Sequence, residues 1–281
     1  MNDLQNIKSA QKNRHMKAIL KATILCSALT LFMACSDDDT IESIDASVTP
    51  GSLDLTLDTM VGNEDFQLDT EYSIAGERVS FTQFRYWVSN IVLINKAGDH
   101  VEIPNSYFLI EETGALSIQD GAYEYPPNKR ETINLSAVPG GEYIGIEFGI
   151  GIDQRYNDNL SLQAGELSQL NGMTNISWMW HTSYIFTSIK GSLLDDDTTL
   201  ILETGLNDNY HTVNVALENA VEVSNTAAQE ILLHVDLASI IEGIDVRTTP
   251  VVGASTPEAM ELMANNFAYK SFTVAPVANE D

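Results

Sequence analysis

A chain of 281 residues with 44% apolar side chains has enough material for a sizeable core, so it is not disordered as a whole. Its 40 Asp and Glu against 14 Lys and Arg give a formal charge of -26. That field repels phosphate backbones and anionic headgroups, and nucleic acid is set aside as a partner.

In chain order, the first 34 positions carry five of the 14 basic residues, Lys8, Lys12, Arg14, Lys17 and Lys21, opposed by Asp3 alone. The apolar run from Ala18 to Ala34 is too short and wrongly flanked for a stable membrane span. Residues 1–34 therefore read as a secretory signal peptide, in which Met16 offers an alternative start with a conventional basic region. The run Leu31-Phe32-Met33-Ala34-Cys35 resembles a loose lipobox. That resemblance implies lipidation of Cys35 as the first mature residue, holding the protein to outer-membrane lipid. Cys26 leaves with the signal, so no free thiol remains for a disulfide and packing must hold the fold. Ser36-Asp37-Asp38-Asp39 resembles the export signal of surface lipoproteins in the Bacteroidetes, while on composition alone it reads as a solvated acidic linker. The two readings put the domain on the cell surface or on the periplasmic face of the outer membrane. Residues 35–50 are then a lipidated cysteine and flexible tether.

From Ser52 onward the apolar residues recur with period two: Leu53, Leu55 and Leu57, then Phe84, Tyr86 and Val88, with Val92 and Ile94 continuing beyond Asn90. The series Ile144, Ile146, Phe148, Ile150 and Ile152 predicts one buried face, opposed by a nearly bare one of Gly145, Glu147, Gly149 and Gly151. Further strands are expected at Leu200–Leu202, His211–Leu217, Ile231–Leu237 and Phe272–Val274. Turn punctuation separates them at Ala97-Gly98-Asp99, Pro126-Pro127-Asn128, Pro139-Gly140-Gly141 and Asn207-Asp208-Asn209. One helix is expected, capped by Thr256, opened by Pro257, and burying Met260, Met263, Ala264 and Phe267. The pattern predicts one all-β domain over residues 51–277, an antiparallel β-sandwich or open barrel with one short C-terminal helix.

Signatures of nucleophilic, zinc-protease, phosphate-loop and dithiol chemistry are missing from the sequence, and nothing nominates a catalytic residue, so the chain reads as a non-enzyme. Four histidines follow Cys35: His100, His181, His211 and His234. His100 falls in a hairpin turn, and His234 on the polar side of a strand. Unusual side chains concentrate in Trp178-Met179-Trp180-His181-Thr182-Ser183-Tyr184-Ile185-Phe186. As a strand this segment sets Trp178, Trp180, Tyr184 and Phe186 on one face and Met179 and His181 on the other. On these residues alone it is an aromatic core seam with a polar outer face.

Three segments together resemble the copper-binding MbnP-like family of bacterial periplasmic and surface lipoproteins. They are Phe84-Arg85-Tyr86-Trp87-Val88-Ser89-Asn90-Ile91-Val92-Leu93, the pair Val138-Pro139-Gly140-Gly141-Glu142-Tyr143 and Phe148-Gly149-Ile150-Gly151-Ile152-Asp153, and the Trp-x-Trp-x-x-x-Tyr of Trp178, Trp180 and Tyr184. The resemblance implies a binding protein that holds copper outside the inner membrane, with kynurenine made from tryptophan by a partner di-haem enzyme. Trp178 or Trp180 is then the modified residue and His181 the nearest imidazole, with His211 and Glu203 as further metal ligands. Nitrogen donors of this kind suit copper better than carboxylates do. Glu203-Thr204-Gly205 stands where the family often shows His before Thr-Gly, and Phe108 where relatives can carry His. The competing reading is a surface module without metal, binding a glycan or a protein through exposed aromatics.

Overall fold

The computed structural model describes residues 49–118, 121–175 and 183–275. The signal peptide, Cys35, Trp178, Trp180 and His181 lie outside these residues. The strands, in chain order, are β1 (Gly51–Val61), β2 (Glu64–Asp65), β3 (Glu71–Ile74), β4 (Glu77–Asn95), β5 (His100–Glu102), β6 (Tyr107–Thr113), β7 (Leu116–Ile118), β8 (Tyr123–Tyr125) and β9 (Asn128–Arg130). They continue as β10 (Thr132–Val138), β11 (Gly141–Ile150), β12 (Thr174–Asn175), β13 (Ser183–Leu193), β14 (Thr199–Gly205), β15 (His211–Val223), β16 (Gln229–Asp236), β17 (Val251–Val252) and β18 (Phe272–Val274). Three helices accompany them, α1 (Gln154–Asn157), α2 (Leu237–Ile240) and α3 (Pro257–Lys270).

Two sheets face each other. The smaller has the order β10-β1-β16-β18, and the larger β15-β11-β4-β13-β14-β17, with β3, β5 and β6 also paired to β4. Most pairs are antiparallel, but β1 lies parallel to β16 and β14 to β17. The core between the sheets takes Leu53, Leu55 and Leu57 from β1, Ile231, Leu233 and Val235 from β16, and Ile146, Phe148 and Ile150 from β11. These runs keep strict alternation because each faces one core along its whole length. Helix α3 buries Met260, Met263, Ala264 and Phe267 as its spacing requires. Thr256, however, gives its hydroxyl to the backbone of Gly253 and not to the helix. Among the described residues no helix is long and apolar enough to cross a membrane.

Strand β4 departs from simple alternation. Its core-facing residues run Val79, Phe81, then Phe84, Tyr86, Val88, then Ile91, Leu93, so the parity flips twice. The first flip is a slip against β13, where Lys190 pairs with Gln83 and Gly191 with Phe81. The second is a slip against β11 at Asn90, whose φ is 50°. Each extra residue turns the following side chains to the opposite face. Ile91 and Leu93 therefore occupy the core in place of the expected Val92 and Ile94. A similar slip beside Tyr143 in β11 buries Tyr143 and leaves Ile144 exposed.

The outer face of the larger sheet is not bare. Residues 151–175 fold back over it and enclose a second apolar cluster of Trp87, Tyr107, Leu109, Ile152, Leu167, Met173, Tyr184 and Phe186 among others. Glycine permits this close approach at two points. A Cβ at Gly149 would lie 2.1 Å from the Tyr210 hydroxyl, and one at Gly151, where φ is 103°, would lie 2.4 Å from the Phe186 ring. The Gly-Ile-Gly run thus leaves room for two aromatic rings.

Candidate metal and polar site

The segment 176–182, which holds Trp178, Trp180 and His181, connects two strands whose ends are paired: Thr174 of β12 faces Tyr184 of β13, and Asn175 faces Ser183. Both ends of the segment therefore sit at one end of β13. Just inside, Tyr184 packs edge-on to Trp87 at 5.8 Å between ring centroids, and its backbone N–H donates to the Asn157 side chain at 2.9 Å. Trp87 is fully buried, which removes it as a sugar-stacking platform. Burial pushes the Tyr184 phenol up to about 12.

His211 opens β15 opposite Ile150. It alternates with Val213 and Val215, both turned to the core, so its imidazole points to the inner side at the end of the sheet. Its ring lies 5.5 Å from that of Tyr269 on α3. The Nε2 atom is buried with no hydrogen-bond partner among the described residues. Burial holds the imidazole below its usual protonation range, with Glu261 pulling weakly the other way. A neutral imidazole with an unused nitrogen is the form that a metal takes. The register carries His211 to the same end of the sheet as Ser183, since Ile150 faces both His211 and Val88, and Tyr86 of β4 faces Thr187 of β13.

Glu203 does not join it. It follows the core residue Leu202 in β14 and pairs with Ser188, so its carboxylate points to the outer face. There Gln83 Nε2 donates to Ser188 Oγ at 2.7 Å, Ser188 Oγ donates to Glu203 Oε1 at 3.1 Å, and Lys190 Nζ stands 3.8 Å from the same oxygen. Three strands, β13, β4 and β11, separate β14 from β15 in the sheet. Period-two alternation puts Glu203 and His211 on opposite faces, and the expected set of His181, His211 and Glu203 is not assembled by these two. Among the described residues no group of three or more His, Cys, Asp or Glu is placed to hold a metal ion. Phe108 packs on the core rim, with Arg130 over its ring at 5.7 Å. The remaining histidines have structural neighbours: Nδ1 of His100 is 3.6 Å from Glu147, and Nε2 of His234 is 3.5 Å from Asp58, its partner across the parallel β1–β16 pair. Asp236, two residues beyond His234, caps α2.

Two networks on the outer face were not legible as sites in the sequence. In the first, Asp153 Oδ2 accepts from the Tyr107 hydroxyl at 2.5 Å and from Asn90 Nδ2 at 3.2 Å, and Asn90 Nδ2 also donates to the Tyr210 hydroxyl at 2.9 Å. Burial, then the Asp153 carboxylate, push the Tyr107 phenol well above its usual range. The Asn90 bulge and the Asp153 turn belong to two of the quoted motifs, and their common purpose appears only when the fold brings them together. In the second, the Arg85–Glu111 ion pair is almost fully buried at 2.7 Å. Glu111 Oε1 also accepts from the Tyr125 hydroxyl at 2.6 Å and from Asn128 Nδ2 at 2.8 Å, while the Arg85 guanidinium lies 4.8 Å from the Tyr125 ring centroid.

Residues 50–260 match the family model described as MbnP. Among solved structures, MbnP from Methylosinus trichosporium is similar with a TM-score of 0.53 and 15% identity, covering 82% of this chain and 100% of that one. At that identity the likeness is one of fold. No curated protein matches this chain.

Proposed function

The chain belongs to the MbnP family, and from that premise we propose that it is an extracytoplasmic lipoprotein that binds copper and carries out no reaction of its own. The observation that supports the reading best is His211: a half-buried imidazole whose buried Nε2 has no partner among the described residues, at the end of the sheet from which the Trp178–His181 segment departs. With His181 it offers the imidazole donors that copper prefers, and a kynurenine at Trp178 or Trp180 would add an aromatic amine. Glu203 is left out of the proposed ligand set, because its carboxylate is engaged on the other face. Cys35 carries the lipid in this reading, and a di-haem enzyme is the proposed source of the oxidised tryptophan.

Protein isolated from its native membranes tests the proposal. Elemental analysis is expected to find copper, and mass spectrometry of the peptide spanning Trp178 the mass of a kynurenine. Release into the soluble fraction on Cys35→Ser is expected as well. Protein free of copper after loading, with both tryptophans intact, would overturn the metal reading and leave the surface-binding module.

A further inference from the structure

In an acidic chain every cation has many carboxylates to choose from. Of the nine Lys and Arg among the described residues, eight form an ion pair with Asp or Glu. Arg155 is the one that does not. It lines a cleft of about 450 Å³ beside the Asn90 bulge, a volume within the range of small-molecule sites. Its guanidinium rests 5.2 Å from the centroid of the Tyr156 ring. A cation–π contact of this kind takes up no hydrogen bond, so the guanidinium N–H groups remain for a carboxylate.

The same cleft is lined by Glu102, exposed on β5, whose carboxylate has no hydrogen bond or ion pair among the described residues. Arg155 and Glu102 do not pair with each other. Asp153, the other acid of the lining, makes no ion pair with Arg155: its carboxylate accepts from Tyr107, Asn90 and the backbone N–H of Arg155. The cleft thus presents one guanidinium and one carboxylate whose polar atoms have no ion-pair partner among the described residues, with the apolar surfaces of Ile103 and Pro104 in the same lining. A neutral ligand would leave both charges unused. A zwitterion satisfies both.

We propose that this cleft binds an amino acid or short peptide with free termini, its carboxylate on Arg155, its ammonium on Glu102 and an aliphatic side chain against Ile103 and Pro104. The site stands apart from the copper reading and shares no proposed ligand with it.

Calorimetric titration of the mature protein with leucyl-leucine, its N-acetyl and C-amide derivatives, and glucose tests the assignment. Saturable binding of the unmodified dipeptide is expected, weakened about tenfold or more by blocking either terminus. Arg155→Met is expected to weaken the dipeptide and its acetyl form while leaving the amide unchanged. Glu102→Gln is expected to weaken the dipeptide and its amide while leaving the acetyl form unchanged. Both side chains are exposed, so unaltered melting of the variants separates loss of the site from loss of the fold. No saturable heat at millimolar dipeptide, equal affinity for the blocked forms, or tighter binding of glucose would each overturn the proposal.

Discussion

Replacing Glu111 by leucine is expected to be among the most damaging single changes in this domain. Arg85 and Glu111 are 1% and 3% exposed, and the Arg85 Nε donates to Glu111 Oε2 at 2.7 Å. Removing the carboxylate strands a guanidinium in an apolar layer, a loss that typically costs about 3–5 kcal/mol. Tyr125 and Asn128 also lose an acceptor, but both sit at the rim and recover water, so they add little. Against a total stability of about 5–15 kcal/mol this is a large fraction. With a urea slope of about 2–3 kcal/mol per molar for a domain of this size, the midpoint falls by about 1–2.5 M. The double change Arg85→Met with Glu111→Leu removes both charges and is expected to regain most of the loss, since a well-packed apolar pair often replaces a buried ion pair without cost. Equilibrium urea unfolding followed by tryptophan fluorescence measures all three proteins. A Glu111→Leu midpoint within about 0.3 M of the parent would refute the claim that the pair is shut off from water.

Gly151→Ala is expected to destabilise by about 2–4 kcal/mol, since it combines a backbone angle of 103° with a Cβ 2.4 Å from Phe186; a neutral effect on the melting curve would show that the second layer is loosely packed there. Tyr184→Phe gives a pH signature. The phenol ionises at about 12 in the fold against 10.0 ordinarily, so between these values the unfolded chain releases the proton first and stability falls as pH rises. Because the hydroxyl has no hydrogen-bond partner among the described residues, the substitution is expected to cost under about 1 kcal/mol at pH 8 and to flatten the decline between pH 10 and 12. Urea midpoints at pH 8 and pH 11 that move in parallel for both proteins would contradict this.

The parts of the fold that the sequence announces are those where one rule holds over a whole element. Leu53, Leu55 and Leu57 face one core, as do Ile231, Leu233 and Val235, and α3 keeps its stripe from Met260 to Phe267. Strand β4 hides its facing because its bulges change the parity, and a bulge leaves almost no trace in composition beyond the Asn90 that tolerates a positive φ. The burial of Trp87 is equally hidden, since it depends on residues 151–175 returning over the sheet. His211 and Glu203 look like neighbours in the sequence, eight positions apart, yet the crossing from β14 to β15 and the parity of each strand put them on opposite faces. The aromatic content around Tyr184 marks a dense region without revealing that it forms a second core. The Asn90–Asp153 contact joins two of the quoted motifs, Ser-Asn-Ile and Gly-Ile-Asp, but neither motif announces the other, because only the fold brings their polar side chains into one network.

Electron paramagnetic resonance of the copper(II)-loaded mature protein tests the metal proposal most directly, because nitrogen coupling reports imidazole ligands. Nitrogen hyperfine structure is predicted for the parent, weakened by His211→Ala and by His181→Ala, and unchanged by Glu203→Gln, whose carboxylate lies on the far face of the sheet. A spectrum of aqueous copper, or one that survives both histidine changes and responds to Glu203→Gln, would contradict the proposed site.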